Sequence, residues 1–288
     1  MRKNIFEILK ERYDVNNEFK KITGLFNSEF IQRKFHQFTG TYTNYYTLEE
    51  MVEDVFCDWK GRGSCISWQN MREELGINKI INDTKCTIDD IIVALEYYEN
   101  ISNLFFKKVA PGLPTHEYTI HHNLDMLYEN MDKLLDYLNY ERRVFDKEEM
   151  VILIPKNPAA TAVAEISSEE TAMAILMYHH ASLKGQLEEK RKLLLTIARE
   201  YEPLLKKGID GFSSYFDNAR NMLNSVHLRH NNKEGKDKIE KIAKMTNKEL
   251  ENWYDELYQL LLFCVLIKDN KERQDKMAEF LKGLKEKK

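Results

Sequence analysis

Arg220 and His227 are the two side chains whose types and spacing best suit chemistry. They fall in the run GFSSYFDNARNMLNSVHLRHNN, from Gly211 to Asn232. Phe212, Phe216, Ala219, Leu223 and Val226 recur there at helical spacing and form one apolar stripe. Beside it runs a polar stripe of Arg220, Asn224, His227 and Asn231. On a helix from about Gly211 to His230, Arg220 and His227 stand seven residues apart, almost two turns, and project from the same face. A guanidinium is always charged and an imidazole titrates near neutral pH. Such a pair could hold a phosphate and move a proton.

Positive charge collects next to this run. From Arg229 to Lys248 there are seven basic residues against three acidic ones, a local +4 in a chain whose formal net charge is −4. Lys233, Lys236, Lys238 and Lys241 lie at its centre and are the candidate contacts to a phosphate backbone. A lysine run by itself also has a plainer reading, a solvated loop.

The elements that must position these residues are helices. The chain has 288 residues with only 11 Gly and 5 Pro, so tight turns are few. Capping-box spacing at Thr47/Glu50, Ser167/Glu170 and Thr246/Glu249 marks helix starts. The last of these opens KELENWYDELYQLLLFCVLIKD, with Leu250, Trp253, Leu257, Leu260, Leu261 and Cys264 expected inside and a further basic helix after it. The first 46 residues read as short helical patterns mixed with polar aromatic stretches. VAPGLPTHEY is the clearest break, and it divides the chain into an N-terminal helical module, 1–113, and a second helical domain, 114–288. Within the latter, RRVFDKEEMVILIP predicts one small β-hairpin over about 143–154. The fold class expected is mainly α, a multi-helix bundle with that one hairpin.

Several functions are disfavoured. No run approaches the roughly 20 apolar residues that span a bilayer, the amino terminus does not read as a signal peptide, and no membrane partner is expected. Cys57, Cys65, Cys86 and Cys264 show no paired spacing, so reduced thiols and a cytoplasmic location are expected. GRGS at Gly61–Ser64 lacks the context of a phosphate-binding loop, and no HExxH, CxxC or GxSxG occurs. His121–His122 and His179–His180 are adjacent pairs that diverge on a helix, a poor arrangement for chelating one metal; no metal or cofactor is expected. Trp59 and Trp68 beside Arg62 suit base stacking, but aromatics so placed are more commonly core.

Arg220-Asn221, with His227 after six intervening residues, resembles the signature of HEPN-type domains. The wider stretch from EEMVILIPKNPAATAVAEI through YHHASLKGQLEEKR to ELENWYDELYQLLLF is similar to the carboxy-terminal part of bacterial abortive-infection (phage-defence) proteins. The likeness covers roughly residues 118–288. It implies metal-independent RNA cleavage, tRNA being one candidate target, at the junction of two protomers. Arg220 would stabilise the scissile phosphate, His227 would transfer the proton, and Asn221 would be the polar neighbour. Asn224 and Asn231 join them on helix geometry alone. A phage-derived or antitoxin partner would control such a toxin. A second register, Arg229-His230, is also present; no histidine follows it, and a domain read that way lacks the catalytic pair. His230 lies on the extension of the apolar stripe, which predicts a structural histidine. Two readings therefore stand side by side: an endoribonuclease, and a non-catalytic all-α dimer that binds RNA or protein.

Overall fold

The computed structural model describes residues 13–37, 40–121 and 123–285. Among them are twelve α-helices and two small antiparallel sheets, which makes the fold mainly α. The chain forms two compact units, Met1–Pro155 and Lys156–Lys288.

The first unit contains α1 (Val15–Phe26), β1 (Ile31–Gln37), β2 (Gly40–Tyr46), α2 (Leu48–Phe56), α3 (Trp68–Glu74), α4 (Ile77–Asn82), α5 (Ile88–Leu104), β3 (Tyr118–Ile120), α6 (Asn123–Leu138), β4 (Tyr140–Phe145) and β5 (Met150–Pro155). Thr47 and Glu50 close the capping box that their spacing predicts, and Thr87 with Asp90 closes another at the start of α5. Helix α5 is the centre of the unit. Ile91, Ile92, Leu95, Tyr98 and Ile101 are buried on it, and Tyr98 stacks on Phe26 of α1 with ring centroids 4.0 Å apart. Glu49 is buried here too, its carboxylate accepting from Arg72 at 2.9 and 3.0 Å and from the Tyr97 hydroxyl at 2.6 Å.

The predicted hairpin is present as β4–β5, with Tyr140 opposite Pro155 and Phe145 opposite Met150. It belongs to the first unit, so the division of the chain falls after Pro155 and the Pro111–Pro114 break is a turn within that unit. Asn100 explains why. Its side-chain amide donates to the Val151 carbonyl at 2.7 Å and accepts from the Val151 N–H at 2.8 Å, while Glu96 accepts from the Leu153 N–H at 2.7 Å. Helix α5 thus completes the open edge of β5 as a neighbouring strand would. Asn100→Ala strands two buried backbone groups and is expected to cost about 2–4 kcal/mol, read by urea denaturation.

A three-stranded sheet, in the order β2-β1-β3, is additional to the one predicted hairpin; β1 and β2 fall in the segment read as short helical patterns mixed with polar aromatic stretches. Thr and Tyr dominate GTYTNYY and favour strands. The alternation that would reveal a strand is missing because β2 is exposed on both faces for six of its seven residues.

The second unit contains α7 (Pro158–Glu165), α8 (Glu169–Met177), α9 (Leu187–Lys207), α10 (Ser213–Ser225), α11 (Glu240–Ala243) and α12 (Asn247–Lys285). Ser168 caps α8, one residue later than the predicted Ser167. Helix α9 runs through Pro203 and stops at Gly208, whose φ of +64° suits glycine. Thr246 and Glu249 exchange capping bonds of 3.2 and 2.8 Å at the start of α12. Helices α7, α9 and α10 pack on the first half of α12, burying Leu250, Leu257, Leu261 and Cys264 as predicted. Trp253 is 42% exposed and Tyr254 takes the inward position. The separate basic helix expected at the end is the continuation of α12. No described helix is long and apolar enough to cross a membrane.

Candidate functional site

Helix α10 carries Phe216, Ala219 and Leu223 into the core, as the apolar stripe requires. It ends at Ser225. Val226 closes it by donating to the Met222 carbonyl at 3.0 Å, and His227 then adopts a left-handed backbone, φ +61°. This corrects the expectation of one helical face through His230. Arg220 is on the helix and His227 is beyond it, so helical periodicity does not align the two.

The turn that holds His227 is built from three other elements. Its N–H donates to Asn232 Oδ1 at 2.9 Å, and its carbonyl accepts from the Tyr254 hydroxyl of α12 at 3.2 Å. The next carbonyl, that of Leu228, accepts two bonds from the Arg191 guanidinium of α9, at 2.9 and 2.7 Å. Asn232 is 3% exposed and also donates to the Asp237 carbonyl at 3.1 Å, which ties the following loop back onto the turn. A left-handed conformation costs an L residue on the order of 1 kcal/mol; these bonds offset that.

The His227 ring is partly buried, and its Nδ1 lies out of solvent with no hydrogen-bond partner. Burial depresses its pKa, and the positive charges of Arg191 and Lys233 depress it further against the opposing pull of Glu188 and Glu234. The imidazole is therefore neutral at pH 7, the form that accepts a proton.

Arg220 is half-buried on α10. Its guanidinium pairs with Asp217 one turn earlier, and its Nε is buried without a partner. Asn221 and Asn224 are exposed on the same helix. Asn231 is exposed and accepts from the N–H groups of Lys233 and Glu234 at 3.3 and 3.2 Å, so it shapes the loop. Arg229 pairs with Glu202 of α9. They border a shallow cavity of about 430 Å³ with Leu195, Ala198 and Arg199. His230 is exposed, 3.8 Å from Asp237, and is not the structural histidine that a longer helix would have made it. Among the lysines, Lys233 donates to Asn247 at 3.3 Å and Lys238 pairs with Glu240 at 2.7 Å, while Lys236 and Lys241 are exposed.

Sequence reasoning missed Arg191, Asn232 and Tyr254. Arg191 and Tyr254 reach the turn from helices distant in the chain and carry no local signal. Asn232 had one, since an Asn pair after a helix favours turn-forming side-chain bonds; helix geometry selected its neighbour Asn231 instead.

A second polar cluster lies inside the same unit. The Tyr178 and Tyr258 rings stack at 4.2 Å, and His179 meets both edge-on at 5.0 and 4.9 Å. Lys190 is buried over the Tyr178 ring with Glu251 and Asp255 each 2.9 Å from its Nζ. Burial first, with Lys190 adding and Asp255 opposing, lowers the His179 pKa. His180 caps a short turn through Ser182 at 2.7 Å. Among the described residues no three His, Cys, Asp or Glu side chains are grouped to hold a metal ion; His122 lies outside the described residues.

The two depressed histidines set a pH dependence. Below about 6.5 the unfolded chain binds protons at these positions that the folded chain does not, so their contribution to stability is present above that pH and is lost as pH falls. Wild type is expected to melt lower at pH 5 than at pH 7.5. His179→Gln should narrow that gap, a difference read by calorimetry at the two pH values.

Comparison with protein-family models, with curated proteins and with solved structures gives no match for this chain.

Proposed function

We propose that the second unit is a metal-independent endoribonuclease of HEPN type, a toxic effector of phage defence, with His227 as its proton-transfer group. The observation that carries this reading is the pinned turn itself, which holds the His227 imidazole beside the guanidinium of Arg191 through main-chain bonds from Arg191 and Tyr254 and to Asn232. Charge distribution supports RNA as the substrate. Residues 156–288 hold 24 basic against 21 acidic side chains (+3), and residues 1–155 hold 19 against 26 (−7).

In this reading His227 takes the proton of a ribose 2′-hydroxyl as the 2′-oxygen attacks the adjacent phosphorus. The 5′-oxygen leaves with a proton, giving a 2′,3′-cyclic phosphate and a free 5′-hydroxyl. Cationic side chains stabilise the charge that develops on phosphate. Arg220 would exchange Asp217 for a phosphate oxygen. That pair is partly exposed, and pairs of this kind are worth at most about 1 kcal/mol, so the exchange is cheap. The family resemblance implies a homodimer as the functional species, with the N-terminal module, 1–113, in a sensing or regulatory role or a phage-derived or antitoxin partner in control.

The test is incubation of purified protein with total tRNA in EDTA, with wild type, Arg220→Ala and Arg191→Lys compared on a denaturing gel. Metal-independent fragments, lost in Arg220→Ala, support the assignment. Cleavage by Arg220→Ala at the wild-type rate removes Arg220 from the site. Intact RNA in every lane, with RNA retained on the protein, favours the second reading, a non-catalytic RNA-binding dimer. The engagement of Arg220 by Asp217 is the observation that keeps that reading alive.

A further inference from the structure

Beyond Ile267, α12 leaves the core. Every described side chain from Asn270 to Leu284 is exposed. Four of them are large and apolar: Met277, Phe280, Leu281 and Leu284, each more than half exposed. Their spacing of i, i+3, i+4 and i+7 puts them in one stripe. A stretch of helix this short is marginal in water on its own, and a clustered apolar stripe on a monomer marks a contact surface.

Charge identifies what would cover it. At about 100° per residue, Lys276 borders the stripe beside Phe280, and Arg273 lies between Phe280 and Leu284. Glu272, Asp275 and Glu279 fall on the opposite side, together with Lys271 and Lys282, and there Asp275 is paired with Lys271. The one acid near the stripe, Asp269, is taken by Arg273 at 2.7 Å. From Arg273 to Lys288 the sequence has six basic residues and three acidic ones. A second copy of the helix would bring these cations against their own equivalents. A nucleic-acid backbone would match the charge but leave the apolar side chains in water. An apolar stripe bordered by cations, with acids behind, suits the plane of an anionic bilayer surface.

We propose that the exposed end of α12 is a membrane-surface helix, which lays Met277, Phe280, Leu281 and Leu284 into the headgroup boundary of anionic lipid. It lies on the bilayer and does not cross it. The inference is independent of the nuclease reading.

The experiment is co-sedimentation of the full-length protein with vesicles of phosphatidylcholine containing about 30% phosphatidylserine, and with phosphatidylcholine alone. Wild type is expected to partition onto the anionic vesicles and to be released by high salt. Phe280→Glu/Leu284→Glu alters only side chains without tertiary packing, so its melting should match wild type while its partitioning falls by roughly 10-fold or more. No uptake by wild type at about 1 mM lipid overturns the proposal. Equal uptake by wild type and double variant also overturns it. So does a wild-type dimer by light scattering that becomes a monomer in the double variant, with no vesicle uptake, because the second copy is then the occupant.

Discussion

His227→Asn is expected to leave the second unit folded and, under the proposed nuclease function, to reduce RNA cleavage by at least about 100-fold, the lower end of what general acid–base catalysis supplies. Asparagine is the replacement that separates the two roles of this position. It tolerates a left-handed backbone better than other residues with a β-carbon, and the bonds from the Tyr254 hydroxyl and to Asn232 use only the main chain of residue 227. Folding therefore keeps its supports while the titrating ring is gone. Single-turnover cleavage of tRNA in EDTA gives the rate, and urea denaturation confirms that stability changes by less than about 1 kcal/mol. A variant that is stable and equally active would remove His227 from the chemistry. One that is inactive because it has unfolded would show that the ring itself, with its buried Nδ1, is a packing element.

Lys190→Met should destabilise the second unit by about 3 kcal/mol or more. The side chain is 6% exposed, and its ammonium is shared by Glu251 and Asp255, one turn apart on α12. Without it two carboxylates face each other over a tyrosine ring, and both must stay close to α9 because the helices pack there. The loss should be smaller at low pH, where one carboxylate protonates. It should be largely recovered in Lys190→Met/Glu251→Gln/Asp255→Asn, which removes the charges together. Urea unfolding at pH 5 and pH 7.5 measures both effects. Equal losses at the two pH values would mean that packing of the lysine stem, and not its charge, holds α9 to α12.

Much of the fold was legible because helices announce themselves locally. The boxes at Thr47 and Thr246 and the periodic run from Leu250 to Cys264 each depend on residues within a turn or two. The end of α10 did not announce itself. Val226 and Leu228 are both buried, so the apolar pattern continues through the turn although the helix has stopped. Neither glycine nor proline marks the place, and the left-handed residue is a histidine. The sequence thus singled out His227 through a helix face that does not exist. Its actual surroundings come from Arg191, Asn232 and Tyr254, two of which meet the turn only because α9 and α12 cross behind it. The β2-β1-β3 sheet was hidden for a different reason. A strand exposed on both faces has no inside to encode.

Tyr254 and Met277 belong to one uninterrupted helix. Twenty-three residues separate them, about 35 Å at 1.5 Å per residue. Over that length a helix behaves as a stiff rod, and its near end bears the hydroxyl that fixes the His227 carbonyl. The projecting tip is therefore the long arm of a lever whose short arm ends at the His227 turn. A small tilt of the tip, however imposed, reaches the histidine as a change in the grip on its backbone.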